Sequence, residues 1–123
     1  FMNNVSKSAE GFSLLIKNNK DLAGLPDGAV EAARQAAAEK GHKTGWLFTL
    51  DMPSYLPFLQ YADNRALREK MWRAYASRAS KAPHDNSRTV LKIVKLKHER
   101  ARLLGYKTHA HFVLEERMAQ NRK

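Results

Sequence analysis

Two groups of residues have the side chains that metal-dependent hydrolysis requires. The first is the segment from His98 to Arg102, which reads His-Glu-Arg-Ala-Arg. A helix holds a catalytic zinc through the pattern His-Glu-x-x-His, because histidines four residues apart lie on the same face. Arg102 stands where the second histidine belongs, and a guanidinium cannot ligate zinc. We therefore expect His98 and Glu99 to lie on a solvated helix face, with no metal site.

The second group contains His109, His111, Glu115 and Glu116. Residues two apart on a helix point to different faces, so His109 and His111 should not converge on one ion. His111 and Glu115 are four apart and could share a face, but two ligands make only a weak, adventitious site. The favoured interpretation is a histidine at a helix start that packs against aromatic side chains, here Tyr106 and Phe112.

Basic residues are in excess over acidic ones. The 123-residue chain has 22 Lys and Arg against 12 Asp and Glu, a formal net charge of +10, and such an excess favours a polyanionic partner. Residues 92–102 are rich in bases, with Trp72, Tyr75 and Tyr106 near them in sequence. A nucleic-acid stacking platform needs aromatics interleaved with bases, whereas Trp72 and Tyr75 follow a helical spacing that predicts burial.

Two alternative functions follow from these features. One is a stand-alone basic helical module that binds nucleic acid, and the other is a non-catalytic peptide-binding or assembly domain. A nucleic-acid binder should lose affinity steeply as salt rises, because its phosphate contacts release counterions.

The composition excludes several other classes. There is no cysteine, which excludes a disulfide scaffold, a thiolate-held zinc and a cysteine nucleophile. Apolar runs are only a few residues long, against the roughly 20 that a membrane-spanning helix needs. No glycine-rich phosphate loop or nucleophile elbow occurs. We expect a soluble polypeptide that is compatible with the cytoplasm.

The hydrophobic pattern predicts a mainly α chain with one short antiparallel β-hairpin. Residues 12–16 and 46–50 are the expected strands, because both are apolar or aromatic and end at turn-forming residues. Residues 1–10 are expected to be helical up to Gly11, and Asp21 is the expected cap of a single helical turn.

Two further helices are expected from composition and spacing. Residues 27–40 are alanine-rich between Pro26 and Gly41, which favours a helix. Pro53 and Pro57 allow a turn or a helix start. The second of these helices should begin after the prolines, with Asp63 as its N-cap. Its expected buried stripe repeats every three or four residues: Leu67, Met71, Trp72, Tyr75 and Ala79.

The C-terminal third should contain two more helices after a loop at residues 83–86. Asp85 or Asn86 is the expected cap of the first, which should end at Gly105. Thr108 should cap the last helix, which is expected to run to about Gln120. The apolar face expected on the first of these helices comprises Val90, Ile93, Val94, Ala101 and Leu104.

Residues 45–79 form the most informative block, reading GWLFTLDMPSYLPFLQYADNR and then ALREKMWRAYASRA. This block is similar to the thimet oligopeptidase family of zinc metallopeptidases, and within it to the branch of the peptidyl-dipeptidase Dcp and oligopeptidase A. Ordered matches extend through FSLLI at residues 12–16, DLAGLP at residues 21–26 and ARLLGY at residues 101–106. The segment FLQYADNR at residues 58–65 resembles the peptidyl-dipeptidase side more than the animal oligopeptidases.

The resemblance implies a two-lobed, mainly helical zinc enzyme that hydrolyses short peptides in a deep channel. Residues 1–123 would be a single segment from the N-terminal half of that enzyme, contributing scaffold and channel wall. The opening residues Phe1 and Met2 suit an internal start, so we expect a fragment that is inactive alone. None of the family's zinc ligands, its base or its transition-state-stabilising residues maps onto this chain, so catalytic, cofactor-binding and metal-binding residues are each predicted to be none.

The expected cofactor is zinc in the parent enzyme, with none in this chain. The expected partners are short peptides and the remainder of the parent chain, with no membrane, and the expected location is cytoplasmic. Because cutting a lobe from a larger core exposes apolar surface, we expect the fragment to self-associate. Whether the parent removes C-terminal dipeptides or cuts internally is left open by the sequence.

Overall fold

The computed structural model describes residues 1–119. Their elements follow in the order α1 (Met2–Glu10), β1 (Ser13–Ile16), a 3₁₀ helix (Asn19–Leu22), α2 (Asp27–Glu39), β2 (Trp46–Thr49), α3 (Met52–Tyr61), α4 (Arg65–Ala76), α5 (Ser87–Leu103) and α6 (His109–Leu114). The mainly α architecture with one hairpin is confirmed. The described residues form two compact units, one of residues 2–85 and the other of Phe1 with residues 86–119.

The two strands pair antiparallel, as predicted. The register places Ser13 opposite Thr49 and Ile16 opposite Trp46. Gly45 precedes β2 with a φ of +106°, and a Cβ there would lie 2.8 Å from the Ile16 carbonyl oxygen. Glycine at this position therefore lets the chain enter the sheet beside its partner strand.

Helix α2 separates the strands in sequence and matches its prediction closely. Pro26 occupies the N-cap position and Lys40 the C-cap position. Gly41 follows with a φ of +81°, the left-handed conformation that commonly ends a helix. The face of α2 that carries Ala33 and Ala37 is buried.

Aromatic side chains from the sheet and from α3 and α4 form the core of the unit of residues 2–85. Phe48 of β2 meets Phe58 of α3 edge to face, with ring centroids 4.7 Å apart. Both side chains and Met71 of α4 are fully buried. The hairpin and the two helices are therefore fixed to one another by side-chain packing.

Helix α3 is longer than the turn or helix start that the sequence suggested. It runs through Pro57, which lies inside it. Pro57 has no N–H to donate to the carbonyl of Pro53 one turn earlier, so the helix loses one bond. Burial of Tyr55 and Phe58 on the inner face offsets this loss, which is why tertiary packing overrides the sequence signal.

Two predicted caps are wrong by one or three residues. Asn18, and not Asp21, caps the 3₁₀ helix, its side chain accepting a hydrogen bond from the Lys20 N–H at 3.0 Å. Asn64, and not Asp63, caps α4 by accepting from the Leu67 N–H at 3.2 Å. Asn64 also donates its amide N–H to the Asp21 carboxylate at 2.9 Å, so one asparagine joins the two segments.

The predicted stripe on α4 is correct for Met71 and wrong for Trp72. Met71 is fully buried, whereas Trp72 is 54% exposed. Neighbouring residues on a helix are about 100° apart, so both cannot face the same core. The helix ends at Ala76, and the buried Ala79 that follows it donates its N–H to the Ser8 hydroxyl of α1 at 3.0 Å.

The second unit consists chiefly of α5 and α6. Asn86 occupies the N-cap position of α5, and Thr108 caps α6 as predicted. Helix α6 ends at Leu114, short of the predicted end at Gln120, which itself lies outside the described residues. Of the predicted α5 face Ala101 is buried, but Val90, Val94 and Leu104 are 42%, 61% and 55% exposed, so the helix extends beyond its local packing partners.

Candidate functional site

The first metal-competent group lies on the outer surface of α5. His98, Glu99 and Arg102 are all exposed. The Glu99 carboxylate lies 3.8 Å from the Lys95 ammonium, a spacing of one helical turn. The predicted solvated face is confirmed, and Glu99 is paired with a base rather than with a second metal ligand.

In the second metal-competent group, His111 and Glu115 form hydrogen bonds to different residues. The Nδ1 atom of His111 lies 2.8 Å from the Thr108 hydroxyl, which also accepts from the His111 N–H at the start of α6. The Glu115 carboxylate instead accepts from the Tyr106 hydroxyl. This bond raises the pKa of Tyr106, and desolvation and the charges of Glu115 and Glu116 act in the same direction. His111 and Glu115 therefore have different partners.

His109 packs as predicted against an aromatic pair. Its ring centroid is 6.2 Å from that of Phe112, and Phe112 meets Tyr106 edge to face at 5.3 Å. The Arg100 guanidinium lies over the same Phe112 ring, 5.1 Å from its centroid. These side chains pack together where α5 meets α6, so their role is structural.

These side chains do not fit a zinc ion. Within residues 1–119, no three or more His, Cys, Asp or Glu side chains are close enough together to hold a metal. A hydrolytic zinc needs three protein ligands and an open position. We therefore assign no step of a zinc-dependent reaction to the described residues.

Of the aromatic residues near the basic segment, Tyr75 is covered on both faces, whereas Trp72 is 54% exposed. The Tyr75 ring stacks on Tyr55, and the Arg78 guanidinium lies 3.4 Å from the Tyr75 centroid. Burial raises the pKa of Tyr55, the Tyr75 charge adds to this, and Arg78 opposes it. Tyr75 thus has no free face for a nucleic-acid base. Across the described part of the chain, no helix has the length and apolarity to span a membrane.

One surface feature was missed by the sequence analysis. A depression of about 570 Å³ lies between α3 and α4, with Trp72 in its wall. Its other lining residues are Leu59, Arg65, Arg68 and Glu69. We call this depression the Trp72 groove. A signal for it exists in the sequence, because Met52, Leu56 and Leu59 form a second apolar stripe at helical spacing on α3.

The chain belongs to Peptidase family M3, whose family model matches residues 58–123, more than half of the sequence. The predicted family resemblance is thereby confirmed.

The relatives come from both groups named in the resemblance. The chain is 48% identical over 126 residues to oligopeptidase A of Haemophilus influenzae, covering 98% of this chain and 18% of the relative. It is 46% identical over 125 residues to a probable cytosolic oligopeptidase A of Arabidopsis thaliana, covering 97% and 18%. The dipeptidyl carboxypeptidase of Escherichia coli is 31% identical over 108 residues, covering 87% and 16%. The chain thus spans less than a fifth of the length of these relatives.

Proposed function

We propose that this chain is one segment of the N-terminal half of a longer, two-lobed zinc-dependent peptidase that hydrolyses short peptides. The observation that carries the proposal is the match to oligopeptidase A, which extends along nearly all of this chain. Relatives named as dipeptidyl carboxypeptidases support the same class of reaction. The parent acts as an oligopeptidase or as a dipeptidyl carboxypeptidase.

In this proposal the segment supplies scaffold and channel wall, and contributes no catalytic, cofactor-binding or metal-binding residue. Two observations support it. The candidate ligands His111 and Glu115 are bonded to other groups, and most of the aromatic side chains of residues 2–85 pack in or against the core. The zinc of the parent is held elsewhere in the longer polypeptide.

The test has two parts. The coding region on both sides of this segment is sequenced for His-Glu-x-x-His followed by a further glutamate, and the complete product is assayed on short peptides with zinc and after chelation. We expect zinc-dependent cleavage by the complete product and none by residues 1–123 with or without zinc. Hydrolysis by the 123-residue chain, or a complete product without peptidase activity, would contradict the proposal.

We propose a cytoplasmic location and self-association of the isolated chain. One relative is named as cytosolic and another as organellar, chloroplastic or mitochondrial, so cell fractionation is the direct test of location. Self-association is supported by exposed apolar residues on α5, of which Leu91 is 71% and Leu103 88% exposed. Sedimentation over a range of concentrations tests it, and a monomer at high concentration would contradict it.

A further inference from the structure

The outer face of α3 carries an apolar ridge. Met52, Leu56 and Leu59 follow one another at intervals of four and three residues, which places them on one side of the helix. Met52 and Leu56 are each 46% exposed. The inner face of α3 is already occupied by the core residues Tyr55 and Phe58. Helix α3 therefore has apolar side chains on two faces. Tyr55 and Phe58 are buried in the core, Leu59 packs partly against it, and Met52 and Leu56 remain nearly half exposed.

The outer face of α4 carries a second ridge beside the first. Arg65, Arg68 and Trp72 follow at intervals of three and four residues, and with Leu59 and Glu69 they line the Trp72 groove. Trp72 is 54% exposed. Two helices that present ridges at this spacing form the kind of groove into which the ridge of a third helix packs. Tryptophan and arginine are also the residues most often found at the centres of interfaces.

The charges at the groove favour an acidic partner. Glu69 is paired with Arg73 at 2.7 Å. Arg68 donates to the carbonyl oxygens of Ala62 and Asp63 at the end of α3, so its position is fixed while its charge is not neutralised. Arg65 forms no ion pair with any residue of the described chain. The rim of the groove is thus positively charged.

The charges at the groove and the length of the relatives favour another part of the same polypeptide over a second copy of this chain as the partner. A second copy docking through the same groove would bring Arg65 near its own counterpart, which is unfavourable. The relatives of this chain are more than five times as long as the part matched. Residues of the longer polypeptide outside the matched part can supply the helix that packs in the groove.

We infer that the Trp72 groove binds an amphipathic helix with an acidic flank, supplied by another part of the same polypeptide. The apolar face of that helix lies on Leu59 and Trp72, and its acidic flank lies along Arg65 and Arg68. The inference rests on the proposed function, since it requires the longer polypeptide.

The experiment compares Trp72 in two contexts, the 123-residue chain and the complete gene product. Trp46→Phe is introduced in both, so that Trp72 is the tryptophan observed within this segment, and tryptophans outside it are replaced by phenylalanine. Acrylamide quenching of Trp72 fluorescence should be strong in the short chain and largely lost in the complete product. Equal quenching in both contexts would overturn the inference.

Substitutions then test the contact itself. Trp72→Ala should lower the melting temperature of the complete product by several degrees while leaving that of the short chain nearly unchanged, because the side chain is half exposed there. Trp72→Phe should recover part of the loss. Arg65→Glu should lower the melting temperature of the complete product, Arg65→Lys should not, and added salt should reduce the difference between the two. No effect of Trp72→Ala or Arg65→Glu in the complete product would contradict the inference.

The two proposals fail in different ways. A complete product that cleaves peptides but leaves Trp72 fully quenched would overturn the inference and leave the proposed function standing. A complete product that shields Trp72 without cleaving peptides would overturn the proposed function and leave the inference standing. Shielding that appears only as concentration rises would assign the groove to a second copy, contrary to the inference.

Discussion

The Tyr75 ring stacks on the Tyr55 ring, with centroids 4.3 Å apart and an angle of 15° between their planes. The Arg78 guanidinium covers the other face of Tyr75 and is held by donating its Nε–H to the Tyr75 carbonyl at 2.8 Å. Three side chains are thus stacked in sequence, which joins α3 to the end of α4.

Removing the middle ring of this stack should destabilise the fold. We expect Tyr75→Ala to lower the free energy of unfolding by about 2 kcal/mol, because a partly buried ring and an aromatic pair are lost. Tyr75→Phe keeps the ring and should cost less than about 1 kcal/mol, since only a hydroxyl changes. Urea denaturation of the two variants measures the difference. Equal effects of the two substitutions would show that the stack does not contribute.

Alkaline titration should detect the bond between Tyr106 and Glu115. The Tyr106 pKa is raised above its ordinary value near 10 chiefly because its hydroxyl donates to Glu115. We expect Glu115→Gln to lower this pKa, and Glu116→Gln to lower it less, because Glu116 acts only through its charge. Tyrosinate absorbance of the variants, with Tyr106→Phe to assign the transition, is the measurement.

The raised pKa of Tyr106 determines how the free energy of unfolding changes with pH. A phenol whose pKa is raised on folding keeps its proton longer in the folded state, so its contribution is fully present below about pH 10. That contribution is lost as the pH rises through the raised pKa. The unfolding free energy of the wild type should therefore fall more steeply above about pH 10 than that of Tyr106→Phe. The opposite order would contradict the assignment.

Gly24 should not tolerate a side chain. Its φ is +84°, and a Cβ there would lie 2.1 Å from the Tyr61 carbonyl oxygen and 2.8 Å from Asp63 Oδ1. We expect Gly24→Ala to cost more than about 2 kcal/mol, since both the backbone conformation and the close approach are lost. Gly28→Ala is the matched control, because a Cβ there meets nothing within 4 Å and alanine favours the helix by about 0.5 kcal/mol. Thermal unfolding compares the two.

Asn64 should contribute more to stability than its neighbour Asp63. Asn64→Ala removes both the cap of α4 and the bond to Asp21, and we expect a loss of about 1–3 kcal/mol. Asp63 contributes a backbone N–H that donates to the Ala23 carbonyl at 2.8 Å, and this bond survives in Asp63→Ala. A loss of less than about 1 kcal/mol is expected for Asp63→Ala. A larger loss at Asp63 than at Asn64 would reassign the cap.

The hairpin and α2 could be predicted because local signals and tertiary structure agree there. Pro26 and Gly41 bound a stretch of good helix formers, and the two strands have the composition that a half-buried sheet needs. Helix α3 could be predicted only in part, because Pro57 argues against a helix that packing maintains. The predicted N-cap of α4 was wrong because Asp63 and Asn64 are equally suitable as caps. Only the position of the chain against Gly24 decides between them.

The Trp72 groove could not be predicted, for a different reason. On α3 the ridge of Met52, Leu56 and Leu59 has the same period as the buried set around Tyr55 and Phe58. Periodicity tells which residues share a face, but not which of two apolar faces meets the local core. The exposed position of His98 and Glu99 on α5, in contrast, could be predicted, because the charged residues of an amphipathic helix lie on the face away from its packing partners.

The hydrogen bond from the Ala79 N–H to the Ser8 hydroxyl joins residues 71 positions apart in the chain. The residues that flank the unit of residues 2–85 are also adjacent, because the Asn86 side-chain amide donates to the Phe1 carbonyl oxygen at 3.0 Å. A unit whose entry and exit points are adjacent can be inserted into a surface loop of another protein without separating the ends of that loop. For protein engineering, residues 2–85 are therefore suited to insertion into another protein and to circular permutation.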